Sequence, residues 1–191
     1  MKTFSALLLT ALLLPAVARS ETARGSETAP VETEWMGDAR QWSVGFVGEK
    51  PSYCRLVWNN ELGKTVEFRQ SLDSVMWLVS KDGWDIPEGT TTKVTLVGYS
   101  GTKAVAAEAF DSKTLRILPA TEKTGVAQIK KMLKNSFVGT PDMELDFAGN
   151  EGPWVVPLSR LQQMYTTYIN CLNRLVPANQ ASQVSDKTQP F

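Results

Sequence analysis

The residues of this chain with the types and spacing to do chemistry are a few carboxylates and two cysteines. Asp82 and Asp85 flank Trp84, and Asp142, Glu144 and Asp146 alternate along one short stretch. Two acids at the correct separation suffice for glycoside hydrolysis, one acting as proton donor and the other as base or nucleophile. Asp85, however, stands before Ile86-Pro87 as a turn former, and Asp142, Glu144 and Asp146 have the pattern of the wet face of an amphipathic strand. Those three could also face a hard cation, but the glycine-centred loop of a calcium site is missing. Gly149-Asn150-Glu151-Gly152 lacks the Lys-Ser/Thr of a phosphate loop. The chain contains no histidine, which removes His-dependent triads and imidazole metal ligands. No catalytic residue, cofactor or metal is expected.

Cys54 and Cys171 are the only cysteines, too far apart for a C-x-x-C redox pair. Their compartment is read from the N-terminus. Lys2, an apolar segment of about 11 residues from Phe4 to Leu14, and Pro15-Ala16-Val17-Ala18 have the layout of a signal peptide over residues 1–18, with cleavage between Ala18 and Arg19. The apolar run is shorter than the roughly 18 residues of a spanning helix, so no stable membrane anchor is expected after processing. In the oxidising periplasm or outside the cell, an even pair of cysteines reads as a disulfide, the alternative being two separate buried thiols.

The elements that would position these residues are mostly strands. Residues 19–38 are Ser-, Glu-, Thr- and Ala-rich and read as a flexible leader, 39–176 as one β-rich domain and 177–191 as a flexible tail. Alternation predicts strands at Gln41–Val47, Tyr53–Trp58 and Lys64–Gln70, the last with one wet face. Val75–Val79 is a more continuous apolar strand. Thr91–Val97 and Ala104–Phe110 form a hairpin around Gly98–Gly101, and Thr114–Leu118, Met143–Phe147 and Trp154–Leu158 complete the strands. Parity places Cys54 on one face with Leu56 and Trp58, inside the core.

Two stretches switch to helical period. Gly125–Phe137 carries Val126, Ile129, Met132, Leu133 and Phe137 on one stripe, with Lys130, Lys131 and Lys134 opposite as a solvated face, the alternative being a face for an anionic surface. Ser159 and Gln162 fit a capping box that opens a second helix, with Leu161, Met164, Tyr165, Tyr168, Leu172 and Leu175 on its stripe and Cys171 on the flank. Runs of alternating strands followed by helices imply a mainly β, α+β fold, an antiparallel β-sandwich or barrel-like sheet with two helices, the C-terminal one disulfide-tethered. Trp42, Trp58, Trp77, Trp84 and Trp154 could form a binding platform, but Trp42, Trp58, Trp77 and Trp154 fall on strands and are expected in the core. Trp84 and Asp85 lie in a loop and form the candidate interaction loop.

Gln41-Trp42-Ser43-Val44, Cys54-Arg55-Leu56, Trp84-Asp85-Ile86-Pro87-Glu88-Gly89, Met143-Glu144-Leu145 and Val156-Pro157-Leu158-Ser159 together resemble the invasion-associated locus B family of exported α-proteobacterial proteins. The resemblance spans Trp42 to Leu172. It implies export, a β-rich fold and a periplasmic or surface location linked to host-cell entry, with no catalytic residues to carry over.

Positive and negative side chains balance, and no window concentrates enough positive charge for a nucleic-acid surface. The expected function is that of an exported, non-enzymatic binding or accessory protein of the bacterial envelope, partnered by a protein or envelope component. The rival readings are a carboxylate-dependent glycan-active enzyme and a purely structural periplasmic protein. N-terminal sequencing of the exported protein is expected to begin at Arg19; intact Met1 protein in the membrane fraction would contradict the processing site.

Overall fold

The computed structural model describes residues 32–39, 41–98, 101–118, 122–139 and 141–175, with only the backbone of 122–126. The signal cleavage site at Ala18 and Arg19, the leader up to residue 31, the Val126 side chain and the 177–191 tail lie outside the described residues.

Ten strands form one sheet among the described residues: β1 (Glu34–Ala39), β2 (Trp42–Val47), β3 (Tyr53–Asn59), β4 (Lys64–Gln70), β5 (Val75–Lys81), β6 (Thr91–Gly98), β7 (Gly101–Asp111), β8 (Thr114–Ile117), β9 (Met143–Phe147) and β10 (Trp154–Val156). Their spatial order is β1-β2-β3-β4-β5-β8-β7-β6-β9-β10, and neighbours are antiparallel. Helix α1 (Glu122–Ser136) packs on β5, and a 3-10 helix (Leu158–Met164) leads into α2 (Tyr165–Leu175), which packs on β2 and β3. This is the expected mainly β, α+β architecture with two helices.

Period-two alternation sends one side chain in two into a common core. The register aligns Trp42, Trp58, Val66, Val79 and Leu115 in one row across five strands, and Val44, Leu56, Phe68, Trp77 and Ile117 in the next. All ten are buried. Trp154 is buried in the same core, as expected of the strand tryptophans.

The two ends of the sheet are brought together by the segment that follows β10. The Trp42 indole N–H, on β2, donates to the Pro157 carbonyl at 3.1 Å, and the 3-10 helix packs on β1 and β2. Cys54 and Cys171 are disulfide-bonded with Cα atoms 6.0 Å apart and a sequence separation of 117. Both are fully buried. The Tyr168 hydroxyl donates to Gln70 Oε1 at 2.7 Å, and Arg174 forks onto both oxygens of Glu34 at 2.7 Å while lying over the Phe46 ring. The late helix thus tethers β1, β2, β3 and β4 at once.

Two expectations are corrected. Residues 34–38 of the flexible leader are strand, paired with β2. Their alternation was hidden by a register shift between Trp35 and Gly37, which breaks the period-two pattern. The capping box is also not formed: the Ser159 hydroxyl donates instead to Asp142 Oδ1 at 2.6 Å, and the same oxygen accepts the Ser159 N–H at 3.3 Å. A carboxylate is the stronger acceptor, and it takes the hydroxyl that would otherwise cap the helix. The segment then runs as a 3-10 helix burying Leu158, Leu161 and Met164, three residues apart. At Tyr165 the period changes to that of an α-helix, so Tyr165 falls out of the expected stripe and is 51% exposed, while Tyr168, Cys171 and Leu175 are buried.

Closing a loop of more than 100 residues removes denatured-state entropy worth about 4.7 kcal/mol in the chain-entropy treatment. Against a whole-domain stability of about 5–15 kcal/mol this is a large share. Cys54→Ser and Cys171→Ser are each expected to destabilise strongly, with the double variant close to either single because both delete one bond. Denaturant titration checks this; a single variant that melts with the wild type would contradict it.

Candidate functional site

The loop after β5 turns the chain at Asp82-Gly83, with the Trp84 N–H bonded to the Lys81 carbonyl and the Ile86 N–H to the Ser112 carbonyl. That turn places Trp84 against the far end of the sheet. Its ring stacks on Trp154 of β10 (centroids 5.3 Å apart, planes at 25°) and meets Phe147 of β9 edge-on at 5.5 Å. Trp84 is half-buried and its two neighbours occupy its aromatic surface, whereas Asp85 is exposed. The candidate interaction loop therefore offers Asp85 to solvent and keeps Trp84 for packing.

At the centre of this aromatic cluster is a carboxylate that the sequence pattern did not single out. Glu151 accepts from Lys81 Nζ at 3.1 and 2.8 Å, from Trp154 Nε1 at 2.9 Å and from Trp84 Nε1 at 3.3 Å. Lys64 Nζ lies 3.8 Å away and 5.2 Å from the Trp154 ring centroid. Desolvation pushes the carboxyl up, but the hydrogen bonds from Lys81, Trp154 and Trp84 overcome it and hold its pKa at about 2. A group so held is ionised at physiological pH and has no proton to give. Its work is to join β10 to β4 and β5.

A second constellation covers the opposite face of β3 and β4. The Glu67 side chain, expected on a wet face, is buried between Arg55 (Nε to Oε1, 2.6 Å) and Arg69 (Nε to Oε1, 2.8 Å; Nη2 to Oε2, 3.2 Å). Desolvation would raise the Glu67 carboxyl; the Arg69 and Arg55 hydrogen bonds and charges reverse this and lower it. The arginines extend the network outward. Arg55 also donates to Thr33 Oγ1 at 2.9 Å and lies over the Trp35 ring, while Arg69 lies over Tyr53 and Phe110. Trp35 can fold back here because Gly45 sits beneath: a Cβ at that position would come within 2.5 Å of Thr33 Cγ2 and 3.1 Å of Trp35. Trp35 and Phe110 are 54% and 44% exposed, and a shallow open recess of about 330 Å³ lies beside Trp35, Met36, Gly37, Asp38 and Ser43.

The other acids singled out in the sequence are dispersed. Asp142 holds the start of the 3-10 helix, Glu144 and Asp146 share the outer face of β9, and Asp82 is exposed at the turn beside Gly63. Among the described residues, no group of three or more potential metal-ligating side chains converges. No protein-family model, no curated protein and no solved structure matches the chain.

Because folding lowers the Glu151 pKa from the ordinary carboxylate value to about 2, its contribution is complete above about pH 5 and is lost as pH falls toward 2. Glu151→Gln is expected to lower stability by about 1.5–3 kcal/mol at pH 7, the range for hydrogen bonds to charged groups. The gap from wild type should narrow steadily below pH 4. Urea titrations at pH 7 and pH 2.5 check this; equal midpoints at pH 7 would contradict it.

Proposed function

We propose that this chain is an exported, non-enzymatic binding or accessory protein of the bacterial envelope, acting on a protein or another envelope component, host surfaces included. The observation that carries this reading is the condition of the two carboxylates drawn into the fold. Glu151 and Glu67 are both saturated by cationic or indole donors and both lowered in pKa. Glycoside hydrolysis needs the reverse for one member of its pair, an acid kept protonated near neutral pH. The cysteines are joined in a disulfide and the chain has no histidine, so the usual nucleophile and base pairs do not arise from its side chains.

The disulfide indicates an oxidising compartment, and no helix among the described residues is long and apolar enough to cross a membrane. Together with the signal-peptide layout and the resemblance to the invasion-associated locus B family, these support a periplasmic or secreted location. A rigid, stapled sheet displaying Trp35 and Phe110 beside arginines suits contact better than turnover.

Two arms test the proposal. Crosslinking in intact cells followed by purification is expected to recover one reproducible envelope or host partner. Incubation with cell-envelope glycans is expected to give no turnover; hydrolysis that is abolished by replacing any of Asp82, Asp85, Asp142, Glu144 or Asp146 in a stably folded variant would overturn the non-enzymatic reading.

A further inference from the structure

Helix α1 and the turn after it bury Ile129, Leu133 and Phe137, and Lys130, Lys131 and Lys134 turn away from the core. Lys131 and Lys134 are exposed, and Lys130 reaches sideways to donate to the Leu72 carbonyl at 3.3 Å. On the other flank Lys103 of β7 donates to Gln128 Oε1 at 3.2 Å, which brings a fourth ammonium to the same helix. None of these four groups has a carboxylate within ion-pair distance among the described residues. A solvated lysine face would account for the charges alone. It does not account for the side chains that border them.

Large apolar side chains stand out of the surface at the margins of this helix. Leu72, whose carbonyl Lys130 holds, is 50% exposed, and Val138, in the turn that continues α1, is 79% exposed. Tyr165 is 51% exposed with its ring against Phe137 at 5.5 Å. Lys130 thus adjoins Leu72, while Val138 and Tyr165 lie by the C-terminal end of the same helix. Lysine is a flexible point charge and not a fork for one bound anion, so the surface suits many anionic groups spread over a plane. The apolar margin would gain nothing from a nucleic-acid backbone but would enter the boundary between headgroups and acyl chains.

We propose that the α1 ridge docks on an anionic lipid surface, Lys130, Lys131 and Lys134 meeting the headgroups while Leu72, Val138 and Tyr165 enter the interface. Charge complementarity selects this occupant, and the inference rests on the binding reading above by naming the partner class for one of its surfaces. Attachment is peripheral and salt-sensitive, because surface potentials decay within a Debye length.

The test is co-sedimentation of the purified disulfide-bonded protein with vesicles of phosphatidylcholine alone or with one-third phosphatidylglycerol. Binding to the anionic vesicles at low salt and release in 0.5 M NaCl are expected. Replacing the three lysines by glutamine should weaken partition by about 100-fold, roughly five-fold per lysine. Leu72→Ser with Val138→Ser, which leaves charge unchanged, should also weaken it; all five positions are at the surface, and circular dichroism confirms the fold. Equal partition into neutral and anionic vesicles, or wild-type partition by the lysine variant, would overturn the proposal. So would binding to polyglutamate without binding to anionic vesicles, which would point to an acidic protein. The two readings fail separately: a crosslinked protein partner without vesicle binding removes only the lipid surface, and glycan hydrolysis removes only the non-enzymatic reading.

Discussion

The bond between Cys54 and Cys171 fixes the relation between the two ends of a ten-stranded sheet. An open antiparallel sheet presents unpaired backbone at each end, a template for unwanted pairing. Here β10 is only three residues long and passes into the 3-10 helix, whose packing on β1 and β2 spans the gap. The helix that follows is anchored covalently at Cys54 and by hydrogen bonds or ion pairs to Gln70 and Glu34. Since these contacts join residues about 100 or more positions apart, loop-closure entropy opposes them all. One covalent link, which persists in the denatured chain, lowers that cost for the rest.

A second fastening works on the opposite side of the closure. Glu151 precedes β10 and gathers Lys81, Lys64 and the indoles of Trp84 and Trp154, so β10 is held to β4 and β5 by charge and aromatic packing. The same economy appears at Glu67, where one buried carboxylate holds the arginines of two neighbouring strands. In both places the acids are committed to structure, and their partners lower their pKa values. Exposed at the periphery are the aromatic side chains of Trp35, Phe110 and Tyr165 and the lysines Lys131 and Lys134.

Much of the sheet was legible because alternation is a local property. The bounds Lys64–Gln70 and Met143–Phe147 follow from residue types alone, as does the inward face shared by Cys54, Leu56 and Trp58. The first strand was hidden because its register shift spoils the alternation that identifies strands. The spacing of Leu158, Leu161 and Met164 does carry the 3-10 period, but it merges into the 3.6-residue period of α2 and reads as one longer helix. Glu151 was invisible for a different reason. Its turn looks like any glycine-rich connection, and Lys81 and Trp84 lie 70 and 67 positions away. Burial of Glu67 likewise depends on the β3 to β4 register, which sets Arg55 opposite Arg69 and so diagonal to Glu67, within reach of its carboxylate.

The central claim is that the Cys54–Cys171 link holds the closing segment on the sheet. Amide hydrogen exchange on the oxidised protein and on the same protein after gentle reduction tests it most directly, at a denaturant concentration where both remain folded. Exchange in α2, the 3-10 helix and β1 is expected to accelerate well beyond that in β3, β4 and β5, as the tethered segment opens separately from the central strands. Unchanged protection of α2 in the reduced protein, with any acceleration spread evenly over all strands, would contradict the account.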